Sequence, residues 1–405
     1  MATKPKRDLT VEEQLARGPL DLPFLMLVLL LTGIGLIMVF SASYASAYYN
    51  EAVTHHDPTW YVKRQAIFAA AGVVVMYLTS KLNYQNFRWM SIFVLAAAFV
   101  LLILVKVPHI GVTAGGANRW IKLPGLPQFQ PSEVAKLGVI LYFSARLAKR
   151  NTEKKRKFNH HTPKGRFLRL MDRIGLLELA PYMGVLLAIL GLLALQPHMS
   201  GMILILAIGA SILLAAGIHL GWFVAGGSFA VAALTFIIFN TDYMASRIHI
   251  WQDPWSDPLG KGFQTIQSLY AIGSGGLLGL GLGKGRQKFL YLPEEHHDFI
   301  FAVVCEELGL IGACVIMLIF ALLLLRGFWI ALHARDRFGT LLVVGIMAHL
   351  GLQVFLNIAV VTGLVPATGI SLPFFSYGGT ALALQLVEMG IVLSVSRQIP
   401  APRNG

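Results

Sequence analysis

The chain has 405 residues, of which 56% are Ala, Val, Ile, Leu, Met, Phe, Trp, Tyr or Cys and only 13% are charged. A water-soluble domain of average composition carries about 25% charged residues. An ordinary soluble enzyme, a disordered chain and a collagen-like repeat are therefore excluded, and a polytopic membrane protein remains. The formal charge of +13, from 33 Lys and Arg against 20 Asp and Glu, would suit nucleic acid if taken alone. Its distribution along the chain argues against that.

In chain order, residues 1–21 are polar and lack the small-residue cleavage site of a signal peptide, so the first apolar run reads as a retained span. A transmembrane helix needs about 20 residues. Runs of that kind lie near 22–42, 64–80, 89–108, 133–149, 177–195, 199–217, 219–239, 299–326, 339–362 and 378–397. The expected architecture is an all-α polytopic bundle of about ten transmembrane helices. One membrane domain, 22–397, stands between an N-terminal tail, 1–21, and a C-terminal tail, 398–405. Very short turns join 177–195, 199–217 and 219–239, which makes them antiparallel neighbours.

Eleven basic residues lie between Arg146 and Arg173, flanked by two apolar runs and without the aromatic interleaving that stacks bases. This is the signature of a cytoplasmic loop on an anionic leaflet, not of a nucleic-acid surface. The same bias recurs at Lys4, Lys6, Arg7 and Arg17, at Lys81 and Arg88, at Arg326, Arg335 and Arg337, and at Arg397 and Arg403. It places both termini in the cytoplasm. Cys305 and Cys314, the two cysteines, are separated by about 13 Å of helical rise, too far to bridge.

Three outer segments are unusual. Residues 107–132 carry Arg119-Trp120, and 363–377 are rich in Gly and Pro. Residues 240–298, between the seventh and eighth spans, are far longer than a normal connection. Long structured loops on a membrane protein usually carry function. The last of these ends Tyr-Leu-Pro-Glu-Glu-His-His-Asp, residues 291–298, and the next span opens with Glu306-Glu307. Asp298 falls where a helix cap would sit, which is one reading. A carboxylate held at the membrane surface as a general base is the other. Glu306 and Glu307 are either functional intramembrane charges or a structural pair with a basic partner. Adjacent His296 and His297 lack the i, i+4 spacing of a helical zinc pair. The glycines at 279, 281, 283 and 285 resemble a phosphate loop only superficially, without a strand–turn–helix setting. A flexible re-entrant or amphipathic segment fits them better. Ser376 has no patterned His and Asp, so serine-protease chemistry is excluded. Trp251 and Trp255, set among Asp and Pro, read as interfacial anchors.

Several separated motifs agree in order with one family. Gly-Ala-Asn-Arg-Trp (116–120), Gln-Pro-Ser-Glu (130–133) with Lys136, Tyr-Leu-Pro-Glu (291–294) with His296, Asp298-Phe-Ile-Phe-Ala, Glu-Glu-Leu-Gly (306–309) and Pro-Phe-Phe-Ser-Tyr-Gly-Gly (373–379) resemble the shape, elongation, division and sporulation (SEDS) family. The region around Asn357 is similar to its FtsW and SpoVE branch more than to RodA. The resemblance implies an inverting peptidoglycan glycosyltransferase. Such an enzyme polymerises lipid II at the outer face of the cytoplasmic membrane beside a class B penicillin-binding protein. It implies that Asp298 is the essential acid and that Trp120 is the family's loop tryptophan. Glu133, Lys136, Glu294, His296, Glu306 and Ser376 belong to the matched motifs and to the expected substrate site. Gln196-Pro197-His198 departs from the family, where many members have Asp in place of the His.

The residues suit this chemistry. Inversion at the sugar carbon needs a base for the acceptor hydroxyl, and Asp298 can serve. The departing diphosphate needs positive charge, available from Arg119, Lys122, Arg247, Lys284, Arg286 and Lys288. A divalent cation, Mg or Mn, could assist at the diphosphate, although no ligand set is readable. Two other classes are a lipid II flippase, using Glu133, Lys136, Glu306, Glu307 and Glu388, and a non-catalytic scaffold for the penicillin-binding protein.

Overall fold

The computed structural model describes residues 18–114, 117–122, 127–150, 171, 175–240, 242–289 and 291–399. Most of the basic set after Arg150, both predicted tail ends and Gly115-Gly116 lie outside the described residues.

A helix occupies each of the ten apolar runs. They are α1 (Leu22–Tyr49), followed by a one-turn α2 (Glu51–Thr54), then α3 (Trp60–Lys81), α4 (Asn86–Leu104), α5 (Pro131–Leu147), α6 (Leu176–Ala194), α7 (Met199–Ala215) and α8 (Leu220–Asn240). After the shorter helices α9 (Asp242–Gln252) and α10 (Phe263–Gly275) come α11 (Ile300–Leu332), α12 (Arg337–Val361) and α13 (Gly379–Ser396). Seven of them, α1, α3, α4, α6, α11, α12 and α13, are long and apolar enough to cross a membrane; α7 is a shorter apolar helix of 17 residues. Large apolar side chains cover their exposed faces, as a span requires where it meets lipid. Met26, Ile67 and Phe93, each more than 60% exposed, are part of those faces.

The helix starts follow from local chemistry. Asp21 accepts from Phe24 N (3.0 Å) at the head of α1, with Pro23 in the first turn, and Arg326 grips the same carboxylate through two nitrogens (2.8–3.1 Å). Asp336 caps α12 through Gly339 N and also holds Tyr84 Oη (2.8 Å) and Gln85 Nε2 (2.9 Å), tying the start of α4 to α12. The core lies where α5, α7, α11, α12 and α13 meet, with α3 packed along α13 and α1 along α11.

The 240–298 segment is structured, carrying the short helices α9 and α10. A short antiparallel hairpin adds to the all-α bundle: β1 (Gly111–Ala114) pairs with β2 (Ala117–Ile121), and Val112 faces Trp120.

The largest departure is inside α11. The expected uninterrupted span over 299–326 is broken at Gly309, whose φ of 67° and ψ of −172° leave the helix. A break in an apolar span strands backbone groups that lipid cannot satisfy. Here the glycine segment satisfies them. Leu280 N donates to Glu306 O (3.0 Å) and Gly281 N to Glu307 O (3.0 Å), while Leu310 N and Ile311 N donate to Gly276 O (2.9 Å) and Leu277 O (3.1 Å). A Cβ at Gly309 would stand 2.3 Å from Gly279 N, so only glycine permits this approach.

Candidate functional site

The two carboxylates that enter α11 are buried, and each is surrounded by donors. Glu306 accepts from Arg286 N (2.7 Å) and Gln287 N (3.2 Å). Glu307 accepts from Gly283 N (3.0 Å), Ser41 Oγ (2.7 Å) and Lys288 Nζ (2.6 Å), and Lys288 also donates to Ser41 Oγ (2.9 Å). The glycine segment is thus a backbone nest for carboxylates of its own chain. Lys288 and Glu306, expected among the substrate contacts, are both turned inward, 2% and 0% exposed. Lys284 and Arg286, in contrast, are exposed.

Asp298 stands at the head of the same helix and is treated differently. The N-cap of α11 is Phe299, and no side chain caps it. The capping role for Asp298 is therefore set aside. Asn357 Nδ2 fixes the backbone instead, donating to Asp298 O (2.8 Å) and to Ile370 O (2.6 Å). Burial pushes the Asp298 carboxyl up to about 6, and Glu294 adds to the rise while Arg119 opposes it. Gly369 lies against the carboxylate: a Cβ there would be 3.2 Å from Asp298 Oδ2.

The segment carrying Asp298 is stitched to the loop before α13. Ser376 Oγ donates to His297 O (2.6 Å) and accepts from Leu372 N (2.7 Å), Tyr377 N donates to His296 O (2.8 Å), and His297 Nδ1 pairs with Tyr377 O (2.9 Å). Ser376 is thus the keystone of a turn. His296 packs its ring against Tyr61, centroids 4.5 Å apart. Burial and the neighbouring His296 push His297 down to about 4, so it is neutral at physiological pH. Glu294 is exposed with a left-handed backbone (φ 56°), its carbonyl accepting from His297 N and Phe299 N.

Arg119 lies on the hairpin, and its charge opposes the rise at Asp298. Its guanidinium donates to Gln196 O (3.3 Å) and to Pro197 O, at the turn between α6 and α7. Beside it, burial and Arg119 press His198 down to about 4. His198 Nε2 lies 3.3 Å from Gln130 Nε2, and Glu133 pairs with Lys136 (2.7 Å) one turn inside α5. Glu133 and Lys136 act on His198, and Arg119 on both His198 and Asp298. Hydrogen bonds and charge effects thus link Arg119, His198, Gln130, Glu133 and Lys136 around the turn between α6 and α7, and the Arg119 charge is felt at Asp298. Trp120 follows Arg119 in β2, and Lys122 ends the strand exposed. Arg247 lies on α9, its Nη1 donating to Ala367 O (2.8 Å). Sequence reasoning missed Asn357 as the clamp on Asp298 and Gly369 as its neighbour. It flagged His198 only as a departure. Among the described residues, no group of three or more His, Cys, Asp and Glu side chains is disposed to hold a metal ion.

Seven long apolar helices, one of them broken beneath a partly buried, raised carboxyl, define a polytopic membrane protein. The particular family follows from comparison. The Cell cycle protein family of FtsW, RodA and SpoVE matches residues 22–400, and the chain belongs to it. It is 42% identical over 379 residues to a probable peptidoglycan glycosyltransferase FtsW of Geobacter sulfurreducens, covering 94% of this chain and 95% of that one. It is 40% identical over 377 residues to stage V sporulation protein E of Bacillus subtilis, covering 93% and 97%. Among solved structures, it is similar to the rod shape determining protein RodA of Thermus thermophilus (TM-score 0.66, 27% identity, 94% and 98% covered). It also resembles a chain from a peptidoglycan synthase complex that coordinates polymerization and crosslinking (TM-score 0.72, 30% identity, 93% and 98% covered).

Proposed function

We propose that this protein is an inverting peptidoglycan glycosyltransferase that polymerises lipid II into β-1,4 glycan strands, with Asp298 as the general base. The observation that carries the assignment is the placement of Asp298: its carboxylate lies against Gly369 at the head of α11, Asn357 clamps its backbone, and burial raises the carboxyl to about 6. A base is most effective when its pKa lies near the working pH. In the reaction, Asp298 takes the proton of the acceptor hydroxyl as its oxygen bonds to the donor sugar carbon. The bond from that carbon to the diphosphate oxygen breaks on the opposite face, and the lipid diphosphate leaves with the electron pair. Arg119, with Lys122 and Lys284, supplies charge to that leaving group. Trp120, Glu133, Lys136, Glu294 and His296 complete the substrate site, which Ser376 shapes through its turn. Lys288 and Glu306 serve instead by holding α11 and the glycine segment together.

The protein works with a class B penicillin-binding protein, and its ten helices cross the membrane ten times with both termini cytoplasmic. The charge bias along the chain supports that topology. A reporter at Trp255 is then outside the cell and one at Lys155 inside; both on one side would refute the ten-span arrangement. The deciding experiment for function is polymerisation of lipid II by the purified protein, with and without its partner. Glycan formation is expected. Lipid II movement across vesicles without glycan growth would identify a flippase.

A further inference from the structure

A cavity of about 240 Å³ lies between α9, α10 and the loop before α13, lined by Ser246, Arg247, Trp251, Lys261, Gln264 and Thr265, with Ala367 closing one side. Its walls are tied down. Arg247 Nη1 donates to Ala367 O (2.8 Å), Trp251 Nε1 to Gly363 O (2.9 Å) and Lys261 Nζ to Ser246 Oγ (2.8 Å). Two links join the cavity to Asp298. Gln264 Nε2 donates to Pro293 O (3.3 Å), in the segment that ends at Asp298. Ala367 is two residues from Gly369, which lies against the Asp298 carboxylate. Two residues span at most about 7 Å of chain, so the cavity adjoins the reacting centre.

We propose that this cavity is a binding site for the saccharide–peptide part of the glycan strand, next to the bond being made. The inference rests on the glycosyltransferase reading above. The chemistry of the lining selects the ligand. A fixed indole offers an apolar face to a sugar ring. Ser246, Thr265 and Gln264 are neutral partners for hydroxyl and acetamido groups. Arg247 and Lys261 suit a carboxylate, and a stem peptide on the strand carries one. The place also selects it. The two helices that form the cavity are not among those apolar enough to cross a membrane. A diphosphate must stay with its lipid at the bilayer, whereas the sugar and peptide extend into water. The volume is slightly below that of a typical ligand pocket, about 300–1,000 Å³, which suits one unit of a longer polymer.

The test is direct binding, so its outcome does not depend on whether Asp298 is the base. The full chain in lipid nanodiscs is titrated calorimetrically with a lipid-free tetrasaccharide bearing stem peptides. Binding is expected, about tenfold weaker in Lys261→Ala, the loss typical of one charged hydrogen bond, and abolished in Thr265→Trp, which fills the cavity. Lys261 is exposed, and unchanged thermal unfolding confirms that the variants are folded. No binding to the parent protein, or equal affinity in both variants, overturns the proposal. Displacement of the tetrasaccharide by undecaprenyl diphosphate also overturns it, because the cavity would then be a diphosphate site.

Discussion

Asp298 and the pair Glu306-Glu307 are carboxylates within three turns of one helix, yet the fold treats them in opposite ways. Glu306 and Glu307 are fully enclosed, and backbone N–H groups, Ser41 and Lys288 surround them. Their oxygens are taken up by structural hydrogen bonds and one ion pair. Asp298 is less enclosed, but what surrounds its carboxyl is burial, the like charge of Glu294 and a single opposing guanidinium. Saturation with donors thus marks the carboxylates that hold the span together, and Asp298 is set apart by its raised carboxyl.

The largest expected effect is that of Asp298→Asn. A positioned base contributes about 10²–10⁴-fold, so glycan yield from lipid II should fall by that factor while the protein still folds. Yield near that of the parent protein would remove Asp298 from catalysis. Stability sharpens the same point. The folded-state value of about 6 lies above the ordinary 3.8 of an aspartate. The stabilising contribution of the proton is complete below the unfolded value and lost as pH rises through 6. At pH 7.5, Asp298→Asn should therefore leave the thermal midpoint unchanged or raise it.

Lys288→Met tests the other side. It leaves Glu307 buried without its cation, and breaking such a pair costs about 3–5 kcal/mol. The thermal midpoint should fall sharply, and the double variant Lys288→Met with Glu307→Met should recover much of the loss. An undiminished midpoint in the single variant would mean that the knot holds nothing together. Smaller effects come from pH and Arg119. Polymerisation should be level above pH 6 and fall about tenfold per unit below it, as the base becomes protonated. Because Arg119 opposes the rise at Asp298, Arg119→Gln should slow turnover and move that acid limb to higher pH. A limb that stays in place would separate Arg119 from Asp298.

The helices were legible because each is a long apolar run, and only the bilayer explains such runs. Asp298 was legible as a candidate from its place among ionisable residues at the mouth of a span. Its distinction from Glu306 and Glu307 was not, since it depends on which backbone groups fold over each carboxylate. Lys288 misled for the same reason. It shares a basic run with exposed Lys284 and Arg286, yet it points inward to Ser41 on α1, 247 residues earlier. The hairpin had a signal in Gly115-Gly116, between Val112-Thr113 and Trp120-Ile121. The break in α11 had only Gly309 and a set of alternating glycines, and their meeting is a tertiary event.

That break also bears on how the protein is made. Synthesis delivers Ser41 first, then the glycine segment with Lys288, and only afterwards Glu306, Glu307 and Gly309. Until the glycine segment docks, the entering helix carries two carboxylates and a set of open backbone groups into an environment that offers them no partner. The completed span is therefore a joint product of three stretches of chain. Outer segment and helix must enter the membrane protein as one unit of assembly, not as a helix followed by its decoration.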